Sequence, residues 1–305
     1  MNKPFFSIVI PTYNRSSQLK NTIKSVLCQS YVEWELLIID DGSTDTTQEL
    51  VESFNDSRIK YIFQVNSERS AARNNGIMHS IGEWICFLDS DDEYLPFHLE
   101  ELNKYIRENT LNRSIIITGL RKNSEGVTSN KKFLNISNPS IHEEIWTQFI
   151  LPTQTCVSKL ILLENKFDKR FRLWEDTHLW LRIVCNYPLY QIEQYTVIQN
   201  IHDEGTVVKG MSNIKIIDVK QYVKAIEDLR DNYTEIFKNK LTGQQFSNYI
   251  DLKYRMYLYQ ARQNKQLPEA IQIWLDGLIN KPSLYLLSEF PKIFLNQLNI
   301  GIHAK

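Results

Sequence analysis

The chain has 305 residues, 42% of them apolar, and a formal net charge of −1. That length supports one large α/β domain with an appendage, or two domains, and the apolar share is enough for a full core. The near-zero charge excludes a bulk electrostatic footprint for nucleic acid, so no nucleic-acid partner is expected.

Phe6–Pro11 reads as a first buried strand, stopped by Pro11. Thr12–Arg15 form a turn, and Ser16 or Ser17 can cap a helix to about Gln29, with Leu19, Ile23, Val26 and Leu27 at helical spacing. Glu35–Ile39 is a second strand closed by Asp40-Asp41-Gly42-Ser43, and Thr44 or Asp45 then caps a helix to about Phe54. Ile59–Phe63 is a third strand, followed by a helix from about Ser70 to Ser80. The run Trp84-Ile85-Cys86-Phe87-Leu88 ends abruptly in Asp89, Asp91 and Asp92, and reads as a strand buried on both faces. Strands and helices that alternate over short connections predict right-handed crossovers and a parallel sheet covered on both sides.

Further along, a helix over Leu95–Glu108 and a strand over Ser114–Thr118 precede a polar region, 121–138, expected to be a hairpin or a mobile loop. Ile141–Phe149 is helical, Thr153–Val157 a short strand, Lys159–Glu164 one or two helical turns, Glu175–Cys185 a helix, and Leu189–Ile201 extended. After Gly205 the texture becomes helix-rich, which places a boundary near Gly210. Tyr249–Arg262 and Leu267–Leu278 look like an antiparallel helix pair joined around Asn264. Cys28, Cys86, Cys156 and Cys185 lack metal-type spacing and read as buried thiols in a reducing compartment. No signal-peptide pattern precedes the first strand and no apolar run reaches membrane-spanning length, so the site is expected to face the cytoplasm.

Acidic clusters thus close three segments: Asp40-Asp41, Asp89/Asp91/Asp92 and Glu175-Asp176. Crowded carboxylates repel and raise one another's pKa unless a cation compensates, and hard oxygen ligands suit Mg²⁺ or Mn²⁺. In open α/β sheets ligands sit beyond the carboxyl ends of the strands, so these acids, with Asn66 and Arg73 after the third strand, gather on one edge. A metal, an Arg and several carboxylates suit a diphosphate ligand. Each cluster also has a plain structural reading. Asp40–Ser43 suits a strand-to-helix turn, and Glu175 and Asp176 suit a helix N-terminus.

Five segments carry a resemblance: Ser-Ile-Val-Ile-Pro-Thr-Tyr-Asn-Arg (7–15), Asp-Asp-Gly-Ser-Thr-Asp (40–45), Ala-Arg-Asn-Asn-Gly (72–76), Phe-Leu-Asp-Ser-Asp-Asp (87–92) and Trp-Glu-Asp (174–176). In this order and at these intervals the sequence resembles the family 2 inverting glycosyltransferases of the GT-A fold, over residues 5 to about 205. The resemblance implies a Rossmann-like, mostly parallel sheet flanked by helices over residues 1–210, with 1–119 the nucleotide-sugar half and 120–210 the acceptor and base half. Residues 211–305 form a C-terminal helical appendage outside it. It places Pro11, Thr12 and Tyr13 at the nucleotide base, Asp41 with Asp40 at the uracil-type ring, and Asn66 and Arg73 near base and diphosphate. Asp89 and Asp91 are the acids of the Asp-x-Asp motif: Asp89, with Ser90 beside it, near ribose and sugar, and Asp91 on the metal. Glu175 matches a donor-sugar residue, Asp176 the catalytic base, and His202 a residue close to the metal; Asn200 stands where members often carry Arg.

The implied activity is inverting, metal-assisted transfer of a sugar from a nucleotide diphosphate donor, UDP-linked, to the hydroxyl of a glycan or lipid-linked glycan, in surface polysaccharide synthesis. A non-catalytic carbohydrate-binding or scaffold protein on the same fold predicts loss of the metal or base acids, yet Asp91 and Asp176 are both present. A sugar nucleotidyltransferase predicts a Gly-rich loop after the first strand, where Pro-Thr-Tyr-Asn-Arg stands instead. The tail Leu284–Ile302 can rest on a membrane surface or pack against the catalytic domain or a second subunit; its low basic content favours packing. These motifs do not encode the oligomeric state.

Overall fold

The structure, a computed structural model, describes residues 4–202, 214–280 and 286. The chain divides into two compact units, Met1–Ile201 and His202–Lys305. The boundary expected near Gly210 and most of the stretch Leu284–Ile302 lie outside the described residues.

The first unit is built on one sheet. Strands β1 (Phe6–Thr12), β2 (Trp34–Asp40), β3 (Ile59–Phe63) and β4 (Trp84–Phe87) pair in parallel in the order β3-β2-β1-β4. Helices α1 (Ser16–Leu27), α2 (Thr47–Glu52) and α3 (Glu68–His79) provide the crossovers. The sheet continues through β8 (Thr155–Ser158), β6 (Ile115–Ser124) and β9 (Leu189–Ile201) to the two-residue β5 (Glu93–Tyr94). β8 runs antiparallel between β4 and β6, whereas β6 and β9 are parallel. Around it lie α4 (His98–Glu108), α5 (Ile141–Gln148), α6 (Lys159–Glu164) and α7 (Glu175–Asn186). Ile8, Ile10, Leu36, Ile38, Cys86 and Leu88 are wholly buried, as apolar runs covered on both faces require.

Several expected bounds shift for local reasons. The helix expected from Ser70 starts at Glu68, which adopts φ +71. α2 is a short helix beginning at Thr47, because Asp45 turns its carboxylate to the Ser16 N–H (3.0 Å) and to Thr47 (backbone N–H 3.1 Å). Pro152 opens a 3₁₀ turn, Pro152–Gln154, so β8 begins at Thr155 and not Thr153. The polar region 121–138 contains a hairpin: β6 runs on to Ser124 and pairs with β7 (Val127–Asn130). Its turn residues, Glu125 and Gly126, both have positive φ (+51° and +84°), the requirement of a two-residue turn that matches strand twist. Cys86, Cys156 and Cys185 are buried as expected, but Cys28 is exposed. It caps the C-terminus of α1, whose apolar face is already filled by Leu19, Ile23 and Val26.

The second unit is helical: Ile216–Asn232, Thr234–Phe237, Gly243–Gln263 and Leu267–Asn280. Thr242 and Gln245 form a reciprocal capping box at the start of the longest helix. The last two helices run antiparallel, with the Tyr254 hydroxyl donating to Asp276 (2.6 Å). Among the described residues no helix is long and apolar enough to cross a membrane.

Two contacts at the root of the parallel sheet control its geometry. Glu35 is buried on β2 and accepts from Ser7 Oγ (2.6 Å), the Ile81 N–H (2.6 Å) and Lys60 Nζ (2.8 Å). One carboxylate thereby ties β1, β2, β3 and the entry to β4. Burial works to raise its pKa, but these donors outweigh burial and hold it below the ordinary glutamate value. Gly76 in α3 lies against β1, and a Cβ there would come 2.3 Å from Val9 Cγ1.

Glu35→Gln leaves one acceptor oxygen for three donors and should cost about 2–3 kcal/mol, lowering Tm by roughly 5–10 °C. Because the folded pKa of Glu35 is depressed, its contribution is full above the unfolded value near 4.3 and is lost as pH falls through the folded value. Thermal unfolding should therefore show the gap between wild type and Glu35→Gln narrowing as pH falls below about 5. Gly76→Ala should destabilise by about 2–3 kcal/mol, and Val9→Ala in the same chain should recover part of that loss in denaturant unfolding.

Candidate active site

The C-terminal ends of β1, β2, β3 and β4 meet on one edge, and their loops are tied to one another there. The Asp41 N–H donates to Thr12 O (2.8 Å), and the Gln64 N–H donates to Asp40 O (2.8 Å). Asn14, with φ +50, accepts from the Thr44 N–H at 2.7 Å and donates its own N–H to Ser43 Oγ at 2.9 Å. Gly42 has φ +89, and a Cβ there would come 3.0 Å from the Asn66 backbone nitrogen. That position therefore favours glycine on both conformational and steric grounds.

The two acids after β2 differ. Asp40 is turned inward, accepting from the Ser43 N–H (2.7 Å) and Tyr61 Oη (2.6 Å), so the turn reading describes it. Asp41 is also buried, and accepts from Gln64 Nε2 (2.6 Å) and the Ser67 N–H (2.9 Å) through one oxygen, Oδ1. Pro11 is half-buried, Thr12 buried, and Tyr13 and Asn66 are exposed. Buried Thr12 Oγ1 has no hydrogen-bond partner among the described residues.

The Asp-x-Asp turn after β4 is held from three sides. Thr22 of α1 donates to Ser90 O (3.0 Å), Tyr94 Oη donates to Phe87 O (2.6 Å), and Asn200 Nδ2 of β9 donates to Asp91 O (2.9 Å). The Asn200 N–H also donates to Asp92 Oδ1 (3.2 Å). Asn200, which departs from the family's Arg, thus braces the acidic turn. Asp92 is buried, and its pKa is pushed well above the carboxylate range, first by burial and then by Asp89 and Asp91. Asp91 is ion-paired with Arg15, a partner that no sequence spacing announced, since the two lie on different loops. The set Asp89, Asp91 and Asp92 offers only oxygen atoms, and a cationic group already seats on Asp91. Both facts suit a hard divalent cation.

Arg73 of α3 is 3% exposed and joins the two halves of the site. Its Nη2 donates to Asp89 Oδ1 (2.8 Å) and its Nη1 to Glu175 Oε1 (2.9 Å). Arg69, one helical turn earlier and more exposed, lies 3.9 Å from the same Glu175 oxygen. Glu175 and Asp176 stand in the first turn of α7, as expected, behind Trp174 with φ +68. Asp176 is half-buried and accepts from the Thr177 N–H (2.6 Å). Burial first, then negative Glu175 beside it, push its pKa up to about 7, against the lowering effect of Arg73. A carboxylate tuned to that range is suited to take a proton near neutral pH.

Asp89, Arg73, Glu175 and Asp176 therefore form one electrostatic cluster, with Asp91 and Asp92 on the adjoining turn. His202 directly follows β9 and opens the second unit. Among residues the sequence did not single out, Lys131 follows β7, with its ammonium bonded to Phe149 O and to Gln154 Oε1 (2.8 Å). A lone lysine in a polar stretch carries no sequence signal; only the fold brings its ammonium to the Phe149 carbonyl and Gln154.

The family profile described as "Glycosyl transferase family 2" matches residues 7–170. A glycosyltransferase of Rickettsia conorii is 36% identical over 205 residues, 64% of this chain and 32% of that protein. This chain spans about a third of the length of that relative and of two further Rickettsia glycosyltransferases. A Campylobacter jejuni protein named GalNAc(5)-diNAcBac-PP-undecaprenol beta-1,3-glucosyltransferase is 29% identical over 93% of this chain and 92% of its own length. Among solved structures, S. aureus TarS in complex with UDP-GlcNAc superposes with a TM-score of 0.65 at 17% identity, covering 96% of this chain and 87% of that one. A mannosyltransferase of Pyrobaculum calidifontis with GDP-Man and Mn2+ superposes with a TM-score of 0.60 at 13% identity, covering 96% and 80%. The sheet order, the acidic turn after β4 and these likenesses agree on the GT-A fold, and with more than half of its residues matched by the family profile the chain belongs to glycosyl transferase family 2.

Proposed function

We propose that this protein moves a sugar from a UDP-linked donor to the hydroxyl of a glycan or lipid-linked glycan acceptor, with inversion, in the synthesis of a surface polysaccharide. The observation that carries the reading is Asp176: a half-buried carboxylate with its pKa near 7, joined through Glu175 and Arg73 to the acids after β4. The names of the C. jejuni relative and of TarS bound to UDP-GlcNAc support the acceptor and donor classes.

The division of labour follows from charge and position. Exposed Tyr13 offers a ring face to the base, and Asp41 offers a carboxylate to a ring N–H. Asp89, half-exposed and steadied by Arg73, accepts hydrogen bonds from ribose and sugar hydroxyls, and Ser90 beside it is fixed by Thr22. Glu175 faces the donor sugar. Asp91 would hold Mn²⁺ or Mg²⁺, which when bound would neutralise charge on the departing diphosphate. Asp176 removes the proton of the acceptor hydroxyl as that oxygen attacks the anomeric carbon. The C–O bond to the acceptor forms while the bond to the diphosphate oxygen breaks on the opposite side, and one displacement inverts the centre. No second carboxylate nucleophile is required, unlike a retaining arrangement.

Purified protein incubated with UDP-, GDP- and dTDP-sugars, with Mn²⁺ and then with chelator, tests this reading. Asp176→Asn should bind the donor as wild type does while turnover drops about 10²–10⁴-fold. Asp91→Ala should lose the metal-dependent part of donor binding. Folded protein that binds no nucleotide sugar in either condition would overturn the proposal in favour of a scaffold role. Asp176 works only when ionised, and its pKa is raised to about 7. The acidic limb of kcat/KM for the acceptor should therefore fall about tenfold per pH unit below about pH 7.

A further inference from the structure

Around Asp176 the backbone takes an uncommon form. Phe149 and Trp174 both have left-handed φ, +53° and +68°, and their rings meet at 4.9 Å between centroids. Neither residue type favours that region, so the surroundings must hold each of them there. Trp174 caps α7, whose next two residues are Glu175 and Asp176. Phe149 ends α5, and its carbonyl accepts from the Lys131 ammonium. The same ammonium donates to Gln154 Oε1 (2.8 Å), and Gln154 Nε2 donates to Thr118 O (3.2 Å) on β6. The Lys131 N–H is itself fixed on Leu120 O (2.9 Å). A continuous chain of direct contacts thus runs from β6 through Lys131, Phe149 and Trp174 to the turn that carries the base.

Resting on the transferase reading above, the geometry points to Lys131 as a positioning residue for the base. Its ammonium holds the Phe149–Trp174 pair in place and sets a positive charge near Asp176 from the β6–β7 side of the site. Asp176 is acted on by negative Glu175 and Asp89, by positive Arg73 and by the Thr177 N–H, and Lys131 and Asp176 attract each other across the site. Arg73 is committed to two carboxylates, whereas Lys131 is bonded only to neutral oxygens, so its charge is less neutralised locally. Burial lowers the Lys131 pKa to about 8, with Lys122 acting in the same direction and Asp176 against it. It therefore remains mostly protonated at neutral pH.

The test compares wild type with Lys131→Met and Lys131→Arg in the full chain. The Asp176 ionisation midpoint is read without substrate, by carboxyl ¹³C NMR assigned against Asp176→Asn. Donor and acceptor kinetics follow on the same samples. In Lys131→Met the midpoint should rise by about half to one pH unit, since a nearby positive charge is gone. Its kcat should fall roughly 10–100-fold with donor KM within about twofold, as expected for a mis-set base. Lys131→Arg, which keeps charge and donors, should return the midpoint to within about 0.3 pH units of wild type and recover most of kcat. An unmoved midpoint in Lys131→Met, or equal behaviour of the Met and Arg variants, would overturn the inference. The two readings separate cleanly. Turnover with an unmoved midpoint removes the role of Lys131 and keeps the transferase. A moved midpoint in a protein that turns over no nucleotide sugar keeps the Lys131–Asp176 coupling and removes the transferase.

Discussion

The interaction on which the site depends is Arg73 clamped between Asp89 and Glu175. A guanidinium that is 3% exposed requires charge partners, and removing one partner from such a group costs about 3–5 kcal/mol. That requirement joins two segments far apart in sequence. Asp89 comes from the turn after β4 and Glu175 from the first turn of α7, so the two turns share one cation. The position of Arg73 depends in turn on how closely α3 approaches β1. Gly76, three residues on, permits that approach because Val9 fills the space that a Cβ would need.

The acids at this edge are tolerated because few of them are left uncompensated. Asp40 is consumed by its own turn, Asp91 is met by Arg15, and Asp89 and Glu175 by Arg73. Asp92 takes the other route: burial and its acidic neighbours favour the protonated form. Asn200 then braces the turn with a neutral amide that reaches Asp91 O and Glu93 Oε1 (3.1 Å). Where an arginine would add charge at this point, the amide adds only hydrogen bonds. Arg15 and Arg69 supply further positive charge at this edge and stay partly exposed.

Asp176 differs from Asp89, Asp91 and Glu175 in that, among the described residues, no cation is bonded to it directly. It feels Arg73 and Lys131 at a remove, and burial dominates, which keeps it close to the protonation boundary at neutral pH. The left-handed residues Phe149 and Trp174 next to it show the same pattern in the backbone. Locally unfavourable conformations persist where a site needs a particular orientation and the surrounding packing can hold it.

The sequence by itself determined the parallel β1–β4 sheet and most of the helices, because period and apolar runs are local properties set by burial on one face or both. It also brought Asp40, Asp41, Arg73, Asp89, Asp91, Glu175 and Asp176 to notice, since strand ends and turn chemistry show in short motifs. The exposure of Cys28 was not legible, because an apolar neighbourhood in sequence does not say which face of α1 is already full. Nor was the hairpin at 121–130 distinguishable from a loop: its outer residues are polar, and only pairing with β6 fixes it. The partners of the motif residues were decided by tertiary structure alone. Arg15 on Asp91, Arg73 between Asp89 and Glu175, Asn200 under the acidic turn and Lys131 on the Phe149 carbonyl all join residues from different segments of the chain. The physical reason is that ion pairing and desolvation depend on distance in space, and the distances arise only when the sheet has closed and α3 and α7 have packed against it.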